Sequence, residues 1–312
     1  MTDSDLPITI LDGGLGTRLA DRGNDITGSL WSAQILRDDP AEIVAAHRDF
    51  FDAGADVATT CSYEVTVDGL VAAGVAASEA EDVAESLLRD SVRLAVDAAQ
   101  HDRLIAASVG PYGAGPGQGT EYDGAYGLSV RELAAWHRRR IEILADTEAD
   151  VLLAETVPSI REVEALAGEL DRVGRPAWLS LTVTPGSDGL MSDGTDLKDV
   201  AAIASASTAI QAVGVNCGAA GDVLAGVRRL AEFTDLPLIA YPNSGERWDH
   251  VNRVWVPRDS GGGPGLLESV PAFLETGVRV LGGCCRVTPR EIAAVLAQLG
   301  ADGHINGRMP RG

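Results

Sequence analysis

Residues 151–183 read VLLAETVPSIREVEALAGELDRVGRPAWLSLTV, and this stretch points most directly to the fold. Its first residues, 151–154, form a short apolar run that predicts a buried strand, and residues 177–183 predict a second one. Between them, residues 159–173 place apolar side chains at helical spacing. A strand, a helix and another strand in this order are typical of the α/β class.

The same alternation of strand and helix runs along the rest of the chain. Predicted strands lie at 8–11, 55–59, 104–109, 151–154, 177–183, 209–215, 236–240 and 278–281. Predicted helices lie at 40–53, within 76–99, at 129–147, 159–173, 195–205, 221–232 and 266–276, and after 288–289. Eight units favour a single closed (β/α)8 barrel, the TIM barrel. A doubly wound open sheet is the competing fold, but Gly13-Gly14-Leu15-Gly16 lacks its dinucleotide-binding pattern.

Composition excludes several classes of partner. The chain has 312 residues, with 25 Lys and Arg against 46 Asp and Glu, a net charge of −21. This acidic balance argues against binding to nucleic acid or to an anionic membrane. The sequence contains no apolar run near 18 residues and no signal-peptide pattern, so we expect a cytoplasmic protein. We expect one barrel domain at 1–300 and a disordered tail at 301–312; both a monomer and a homodimer fit.

Unusual polar residues recur where the predicted strands end. In a TIM barrel these positions converge on one face, where active sites form. The residues are Asp12, Thr59, Thr60, Cys61, Tyr63, Glu155, Asn216, Cys217, Pro242, Asn243, Cys284 and Cys285. The recurrence predicts a functional site on this face. The long, Gly-rich segments 112–128 and 241–265 follow strands on the same face and are candidate lids.

Three cysteines of this set can meet at the rim of the barrel. Cys217 follows the sixth strand, and Cys284 and Cys285 follow the eighth, two strands away. Three thiolates suit zinc and leave its fourth tetrahedral position open, which is the catalytic arrangement. The same cysteines would also fit a packed free thiol beside a vicinal pair, or a disulfide. Cys61 is expected to pack in the barrel wall, although it could complete a structural zinc site.

Two acidic residues suggest what binds beside the cysteines. Asp12 and Glu155 follow the first and fourth strands, so both carboxylates would point into one mouth. Together they would suit a substrate ammonium, while the backbone N–H groups of Gly13 and Gly14 would suit a carboxylate. These features describe an amino-acid pocket. The alternative for each acid is a helix N-cap.

Several segments, taken in order, resemble the homocysteine S-methyltransferase family. They include LDGGLGT (11–17), LWSA (30–33), AGAD (53–56), SVGPYG (108–113), ETVP (155–158), GVNC (214–217), YPNSGE (241–246) and GGCCR (282–286). The likeness covers about residues 7–300, and GGCCR paired with GVNC is its most specific part. The resemblance implies a TIM barrel that transfers a methyl group to the homocysteine thiolate, with Zn²⁺ as cofactor, and yields methionine.

The resemblance also implies roles for individual residues. Cys217, Cys284 and Cys285 resemble the zinc thiolates of the family, and Asp12 and Glu155 resemble its ligands for the homocysteine ammonium. The matching positions imply further substrate contacts by Thr59 and Tyr63, and Asn216 is expected to support the metal site. Since a cationic donor leaves as a neutral molecule, no general acid is nominated.

The methyl donor is harder to assign. Betaine-using relatives tend to carry an aromatic residue directly after the acid of strand four, where this chain has Thr156. This difference favours a sulfonium donor, S-methylmethionine first and S-adenosylmethionine second. A betaine- or selenocysteine-type methyltransferase and a non-catalytic barrel with structural zinc remain alternatives. Trp248 and Trp255 could stack on a donor cation or simply pack the loop, and the basic run 136–140 is expected to be a solvated helix face.

Overall fold

The computed structural model describes residues 7–26, 31–99, 103–115, 120–249, 254–256 and 264–301. Eight parallel strands form its main sheet: β1 (Thr9–Ile10), β2 (Val57–Thr59), β3 (Leu104–Val109), β4 (Val151–Val157), β5 (Ala177–Leu181), β6 (Ile210–Asn216), β7 (Leu238–Tyr241) and β10 (Val278–Leu281). Their order in the sheet is β1-β10-β7-β6-β5-β4-β3-β2. One parallel bridge between Leu11 and Val57 joins β1 to β2. The sheet thus closes into the predicted TIM barrel, and the open-sheet alternative is wrong.

A helix follows each strand, as the sequence predicts. These helices are α3 (Pro40–Asp52), α5 (Ala80–Ala98), α6 (Val130–Ala145), α7 (Ile160–Val173), α8 (Leu197–Ala206), α9 (Ala220–Ala231), α10 (Leu266–Thr276) and α11 (Pro289–Ala301). Helix α6 begins with a capping box, in which the side chains of Ser129 and Glu132 each accept a hydrogen bond from the other residue's backbone N–H. This reciprocal pair fixes the start of α6.

Several shorter elements lie in the loops between strands and were not predicted. They are α1 (Leu15–Asp21), α2 (Trp31–Asp38), α4 (Val67–Ala72), a 3₁₀ turn at Tyr112–Ala114, and the antiparallel pair β8 (Arg247–Asp249) and β9 (Val254–Val256). The last pair lies within the candidate lid 241–265. The side chains of Trp248 and Trp255 fall outside the described part of the chain, as do residues 302–312 of the expected tail. The domain boundary at 300 therefore stays a prediction.

Two apolar layers hold the barrel together. The outer layer packs the strands against the helices, and the smaller inner layer fills the barrel. Strand residues alternate between the two layers, because successive side chains point to opposite faces of a sheet. At the C-terminal ends of the strands, the side chains that point inward are polar. They belong to Thr59, Ser108, Glu155, Ser180, Asn216 and Tyr241. The alternation that builds the core therefore also directs these side chains into the mouth of the barrel.

Helix α6 differs from expectation at the basic run 136–140. Arg138 and Arg139 are half or more exposed, as a solvated face requires. His137 and Arg140 are buried instead, because they lie on the side of α6 that covers the loops after β2 and β3. The expectation of a fully solvated face is therefore wrong. Among the described residues, no helix is both long and apolar enough to cross a membrane.

Candidate metal centre and substrate pocket

The three cysteines meet at the C-terminal mouth of the barrel. The sulfur atoms of Cys217, Cys284 and Cys285 all lie within 4.8 Å of one another. The Sγ atoms of Cys217 and Cys285 are 3.6 Å apart. All three are free thiols, so the alternative of a disulfide is not what this structure contains. The convergence expected from strands six and eight of the barrel is confirmed.

Main-chain contacts with the end of β7 set the positions of the cysteines. The N–H of Cys217 donates to the carbonyl of Tyr241 over 3.2 Å, and that of Cys284 donates to the carbonyl of Pro242 over 2.8 Å. The N–H of Cys285 donates to Oδ1 of Asn243 over 3.1 Å. Cys217 has a φ of 53°, in the left-handed region that only a few per cent of non-glycine residues adopt. The segment after β7 therefore aligns both cysteine-bearing loops.

Glycines let the loops after β1 and β10 approach each other closely. A Cβ on Gly282 would lie 2.5 Å from Cβ of Leu11, and one on Gly14 would lie 2.8 Å from the carbonyl oxygen of Cys284. Real Cβ atoms do not come so near, so these positions exclude side chains. The Gly14 N–H already donates to the carbonyl of Val287 over 3.0 Å. The expectation that the Gly14 N–H binds a substrate carboxylate is therefore wrong, and the prediction stands for Gly13 alone.

The donor set of the cluster fits a thiophilic metal ion. Among the described residues, the metal-binding group consists of these three cysteines, without histidine or carboxylate. Hydrogen bonds to Cys217 and Cys285 raise the pKa of the Cys284 thiol well above its ordinary value. Three adjacent sulfurs cannot all ionise in a buried site unless a cation balances their charge. Thiolate ligands of this kind are typical of zinc sites.

Tyr122 reaches the cluster from the candidate lid 112–128. Its hydroxyl oxygen lies 3.0 Å from Sγ of Cys217. The residue as a whole is 43% exposed, so it lies at the surface of the mouth. The contact shows that the loop after β3 extends over the sulfur atoms. Its function as a lid stays a prediction.

Asp12 lies in the mouth beside the second strand. Its Oδ2 accepts a hydrogen bond from the backbone N–H of Thr59 over 2.8 Å. Burial raises the pKa of Asp12 from 3.8 to about 8, although this hydrogen bond lowers it, and the negative charge of Glu155 adds to the rise. The hydroxyl of Thr59 is buried beside this carboxyl, and it too lowers the pKa of Asp12. A cation placed here would relieve the cost of a buried Asp12 carboxylate.

Glu155 is held by two hydroxyl groups. Ser108 donates to its Oε1, and the phenol of Tyr241 donates to its Oε2 over 3.1 Å. Burial raises the pKa of Glu155 to about 7, while the two hydrogen bonds lower it and the charge of Cys217 raises it further. The carboxylate thus interacts electrostatically with both Asp12 and the cysteine cluster. The two acids and the sulfurs share one space.

Asn216 and Tyr63 line the same region in different ways. Oδ1 of Asn216 accepts hydrogen bonds from the Thr156 N–H and the Ser180 hydroxyl, and its Nδ2 donates to the Thr156 hydroxyl. These bonds hold Thr156 at a φ of 59°, directly after Glu155. Burial and the negative charges of Glu121, Cys217 and Glu155 raise the pKa of the Tyr63 phenol, which therefore lies near all three residues.

Comparison with known proteins connects this geometry to a family. The family described as "Homocysteine S-methyltransferase" matches residues 9–299. The homocysteine S-methyltransferase of Escherichia coli K12 is 40% identical over 93% of this chain and 95% of its own length. The selenocysteine Se-methyltransferase of Brassica oleracea var. italica is 37% identical over 93% of this chain and 88% of its own length. The chain belongs to the homocysteine S-methyltransferase family.

A solved structure of this family shows the same fold. The E. coli homocysteine methyltransferase MmuM, in its metallated form, superimposes with a TM-score of 0.81 at 38% identity, covering 94% of this chain and 96% of the other. The present chain is accordingly an enzyme of the homocysteine S-methyltransferase family. The metallated form of MmuM and the three-cysteine cluster both indicate a metal ion at this site.

Cys61 is not part of the metal-binding group. Its side chain is 2% exposed and packs in the apolar core, and burial raises the pKa of its thiol to about 12. The expectation that Cys61 packs in the wall is confirmed. The alternative in which Cys61 supplies a fourth ligand to a structural zinc is wrong, because its sulfur is not within reach of the other three.

Sequence reasoning missed three side chains that shape the site in this chain. Ser108 and Tyr241 bind Glu155, and Tyr122 contacts Cys217. The inward alternation along β3 and β7 could have indicated Ser108 and Tyr241. No comparable pattern marks Tyr122, which lies in an irregular loop.

Proposed function

We propose that this enzyme transfers a methyl group from a sulfonium donor to homocysteine, giving methionine, with zinc held by Cys217, Cys284 and Cys285. S-methylmethionine is the favoured donor and S-adenosylmethionine the second candidate. One observation carries the proposal: three converging cysteine sulfurs share a mouth with two buried carboxylates. A substrate with both a thiol and an ammonium group matches that combination.

The carboxylates select the amino-acid end of homocysteine. A buried acid with a raised pKa gains most from a cationic partner, because the partner compensates for lost hydration. Asp12 and Glu155 would therefore bind the substrate ammonium, and Thr59 would hold Asp12 in place through its backbone N–H. The buried Thr59 hydroxyl and the Gly13 N–H are proposed to donate hydrogen bonds to the substrate carboxylate.

The thiol end of homocysteine requires activation. A thiol with a pKa near 8.5 is mostly protonated at neutral pH, whereas the thiolate is the nucleophile. Zinc bound to the three cysteines would supply the positive charge that keeps the substrate sulfur deprotonated. With the ammonium fixed by Asp12 and Glu155, the substrate sulfur is oriented towards the donor methyl group.

Charge around the mouth supports a cationic donor. Burial and the charge of Cys217 raise the pKa of Glu121. The charge of Glu121 in turn raises the pKa of Tyr63. Glu64 next to Tyr63 is a further acid whose pKa rises to about 8 through burial and the charge of Glu121. As the methyl group leaves, the sulfonium becomes a neutral sulfide, so the leaving group needs no proton.

A donor comparison tests the proposal directly. Zinc-loaded protein is incubated with homocysteine and, in separate reactions, S-methylmethionine, S-adenosylmethionine or betaine, and methionine is measured. We expect the fastest turnover with S-methylmethionine and none with betaine. Methionine formation from betaine alone would overturn the sulfonium assignment, and no methionine from any donor would overturn the function.

A second acceptor follows from the Brassica relative, which is named a selenocysteine Se-methyltransferase. A zinc ion held by the three cysteines would bind a selenolate as readily as a thiolate. Selenocysteine and homocysteine are therefore compared at equal concentration with the best donor. A higher kcat/KM for selenocysteine would reassign the acceptor while leaving the methyl transfer in place.

A further inference from the structure

A buried polar cluster lies behind Tyr63, outside the sulfur and carboxylate site. Helix α6 contributes His137 and Arg140, and α7 contributes Glu162. The side chains of His137 and Glu162 are fully buried, and Arg140 is 6% exposed. Helix α6 otherwise presents arginines to the surface, so an inward-facing arginine on this helix needs an explanation.

Arg140 binds the two loops that follow β2 and β3. Its Nη2 donates to the carbonyl of Gly110, and its Nη1 makes a longer contact of 3.5 Å with the carbonyl of Tyr63. These two residues also touch directly, because a Cβ on Gly110 would lie 2.9 Å from Cδ2 of the Tyr63 ring. The guanidinium therefore links the main chain at Tyr63 to that at Gly110, against which the Tyr63 ring packs.

His137 and Glu162 fix the orientation of the guanidinium. Nη2 of Arg140 lies 2.9 Å from Nδ1 of His137, and Nε2 of His137 lies 2.8 Å from Oε1 of Glu162. Because a guanidinium only donates, Nδ1 must accept, so the imidazole proton is on Nε2 and is donated to Glu162. Oε1 of Glu162 also accepts from the N–H of Tyr112 over 2.6 Å. Burial and the charge of Arg140 keep the pKa of His137 low, so the imidazole is neutral.

Stability alone does not explain this cluster. It contains one positive and one negative charge in the interior, and replacing such a buried pair by apolar side chains is often neutral or even stabilising. What the cluster provides is a directional connection from α6 and α7 to Tyr63, Gly110 and Tyr112. The phenol of Tyr63 lies close enough to Cys217 and Glu155 for their charges to raise its pKa.

We propose that Arg140 is a positioning residue for methyl transfer: with His137 and Glu162 behind it, it holds Tyr63 in the geometry that homocysteine requires. This inference rests on the proposed function and on the substrate contact that the family resemblance implies for Tyr63. Loss of the guanidinium would let the Tyr63 loop shift, and a displacement of about 1 Å can lower activity about 100-fold.

A double-mutant cycle tests whether Arg140 acts through Tyr63. In zinc-loaded protein, kcat/KM and the Kd of homocysteine are measured for wild type, Arg140→Met, Tyr63→Ala and the double variant. We expect Arg140→Met to lower kcat/KM about 10- to 100-fold in the wild-type background, but less than about threefold when Tyr63 is already absent. Equal factors in both backgrounds, or an unchanged kcat/KM for Arg140→Met, would overturn the inference.

Arg139→Met is the matched control, since it removes the neighbouring arginine, which is 68% exposed. It should leave kcat/KM and Kd unchanged. If Arg140→Met fails to fold, Arg140→Lys takes its place in the cycle: the charge remains, but a point donor cannot span both carbonyls. Its expected loss is smaller than that of Met and again absent without Tyr63; a loss that persists in Tyr63→Ala overturns the inference.

Failure of the proposed function gives a different result from failure of this inference. If wild-type protein neither binds nor methylates homocysteine, the proposed function is wrong. Arg140 is then judged by a crystal structure of Arg140→Met or Arg140→Lys. A shifted Tyr63 ring supports positioning by Arg140, and an unmoved ring overturns it.

Discussion

The two halves of the barrel mouth are held in place by different means. In the sulfur half (Cys217, Cys284 and Cys285), hydrogen bonds from the cysteine N–H groups, two of them to main-chain carbonyls, set the position of each residue. In the carboxylate half (Asp12 and Glu155), hydrogen bonds end on the carboxylates themselves. Because main-chain N–H groups position the cysteines, the loops of the sulfur half should keep their shape when a cysteine side chain is replaced. In the carboxylate half, each side-chain substitution removes a hydrogen bond that positions Asp12 or Glu155.

The sulfur half should show the largest effect of substitution. Replacing any one of its cysteines by Ala removes a proposed metal ligand and should abolish bound metal. Methyl transfer should fall on the order of a thousandfold or more, because a metal ion contributes several kcal/mol to such reactions. Zinc content by mass spectrometry and methionine formation are the measurements.

Cys61→Ala is the matched control for the cysteine variants, because Cys61 is buried in the core outside the cluster. It should retain both metal and turnover. Full activity in a metal-free Cys217→Ala variant would contradict the assignment of the sulfur half.

The carboxylate half should respond more moderately. Asp12→Asn and Glu155→Gln keep shape but remove charge, so each should raise the Kd of homocysteine about 10- to 100-fold, the effect of a lost charged hydrogen bond. Metal content should not change, which separates this half from the other. Titration calorimetry measures the Kd.

Asp97→Asn serves as the control for the carboxylate variants, since Asp97 is an exposed acid on α5. Homocysteine should bind it as it binds wild type. If neither Asp12→Asn nor Glu155→Gln weakens binding, the substrate ammonium is bound elsewhere.

Asn216 joins the two halves, since it precedes Cys217 and binds Thr156 beside Glu155. Asn216→Ala leaves the buried N–H of Thr156 without an acceptor, so the free energy of unfolding should fall by about 1–3 kcal/mol. Urea denaturation measures the change. Ser180→Ala removes one hydrogen bond to Asn216 and should cost less; equal stability of Asn216→Ala and wild type would show that Asn216 does not join the halves.

The smallest effect concerns the scaffold behind the carboxylate half. His47 on α3 is fully buried without a hydrogen-bond partner, and burial lowers its pKa from 6.5 to about 4. Between these values the unfolded chain binds a proton that the folded chain does not, so stability falls as pH drops below 6.5. At pH 5.5 the loss should be about 1 kcal/mol.

The difference in free energy of unfolding between wild type and His47→Leu isolates the contribution of His47, because both proteins share all other titrating groups. Urea midpoints at pH 7.5 and 5.5 are compared. The variant should gain stability relative to wild type at pH 5.5; a constant difference between the two pH values would exclude a role for His47.

Much of the fold and part of the site could be predicted from sequence. The strand and helix periodicities located all eight repeating units, and the position of Asp12, Glu155 and the cysteines at strand ends followed from barrel geometry. The short helices α1, α2 and α4 were missed because their segments are too brief for a clear periodic signal. The prediction for Gly14 is wrong because the sequence does not show which backbone N–H groups form hydrogen bonds within the protein.

Long-range side-chain contacts account for the rest. Tyr122 lies 95 positions from Cys217, and Arg140 lies 77 positions from Tyr63. The sequence of a helix with arginines and a histidine in succession does not show which of them face solvent and which face a neighbouring loop. That depends on how the helix packs in the folded protein. The need for glycine at position 282 is likewise a matter of packing, because Leu11 lies against it.

The closure of the barrel between β1 and β2 uses two carboxylates as well as main-chain hydrogen bonds. Besides the Leu11–Val57 bridge, Asp56 accepts a hydrogen bond from the N–H of Ile10, and Asp12 accepts one from the N–H of Thr59. A ligand bound to Asp12 would therefore stabilise this closure. Amide protons of residues 9–12 and 56–59 should exchange with deuterium more slowly when ligand is present, because Asp12, the proposed ligand of the substrate ammonium, also bonds the neighbouring strand.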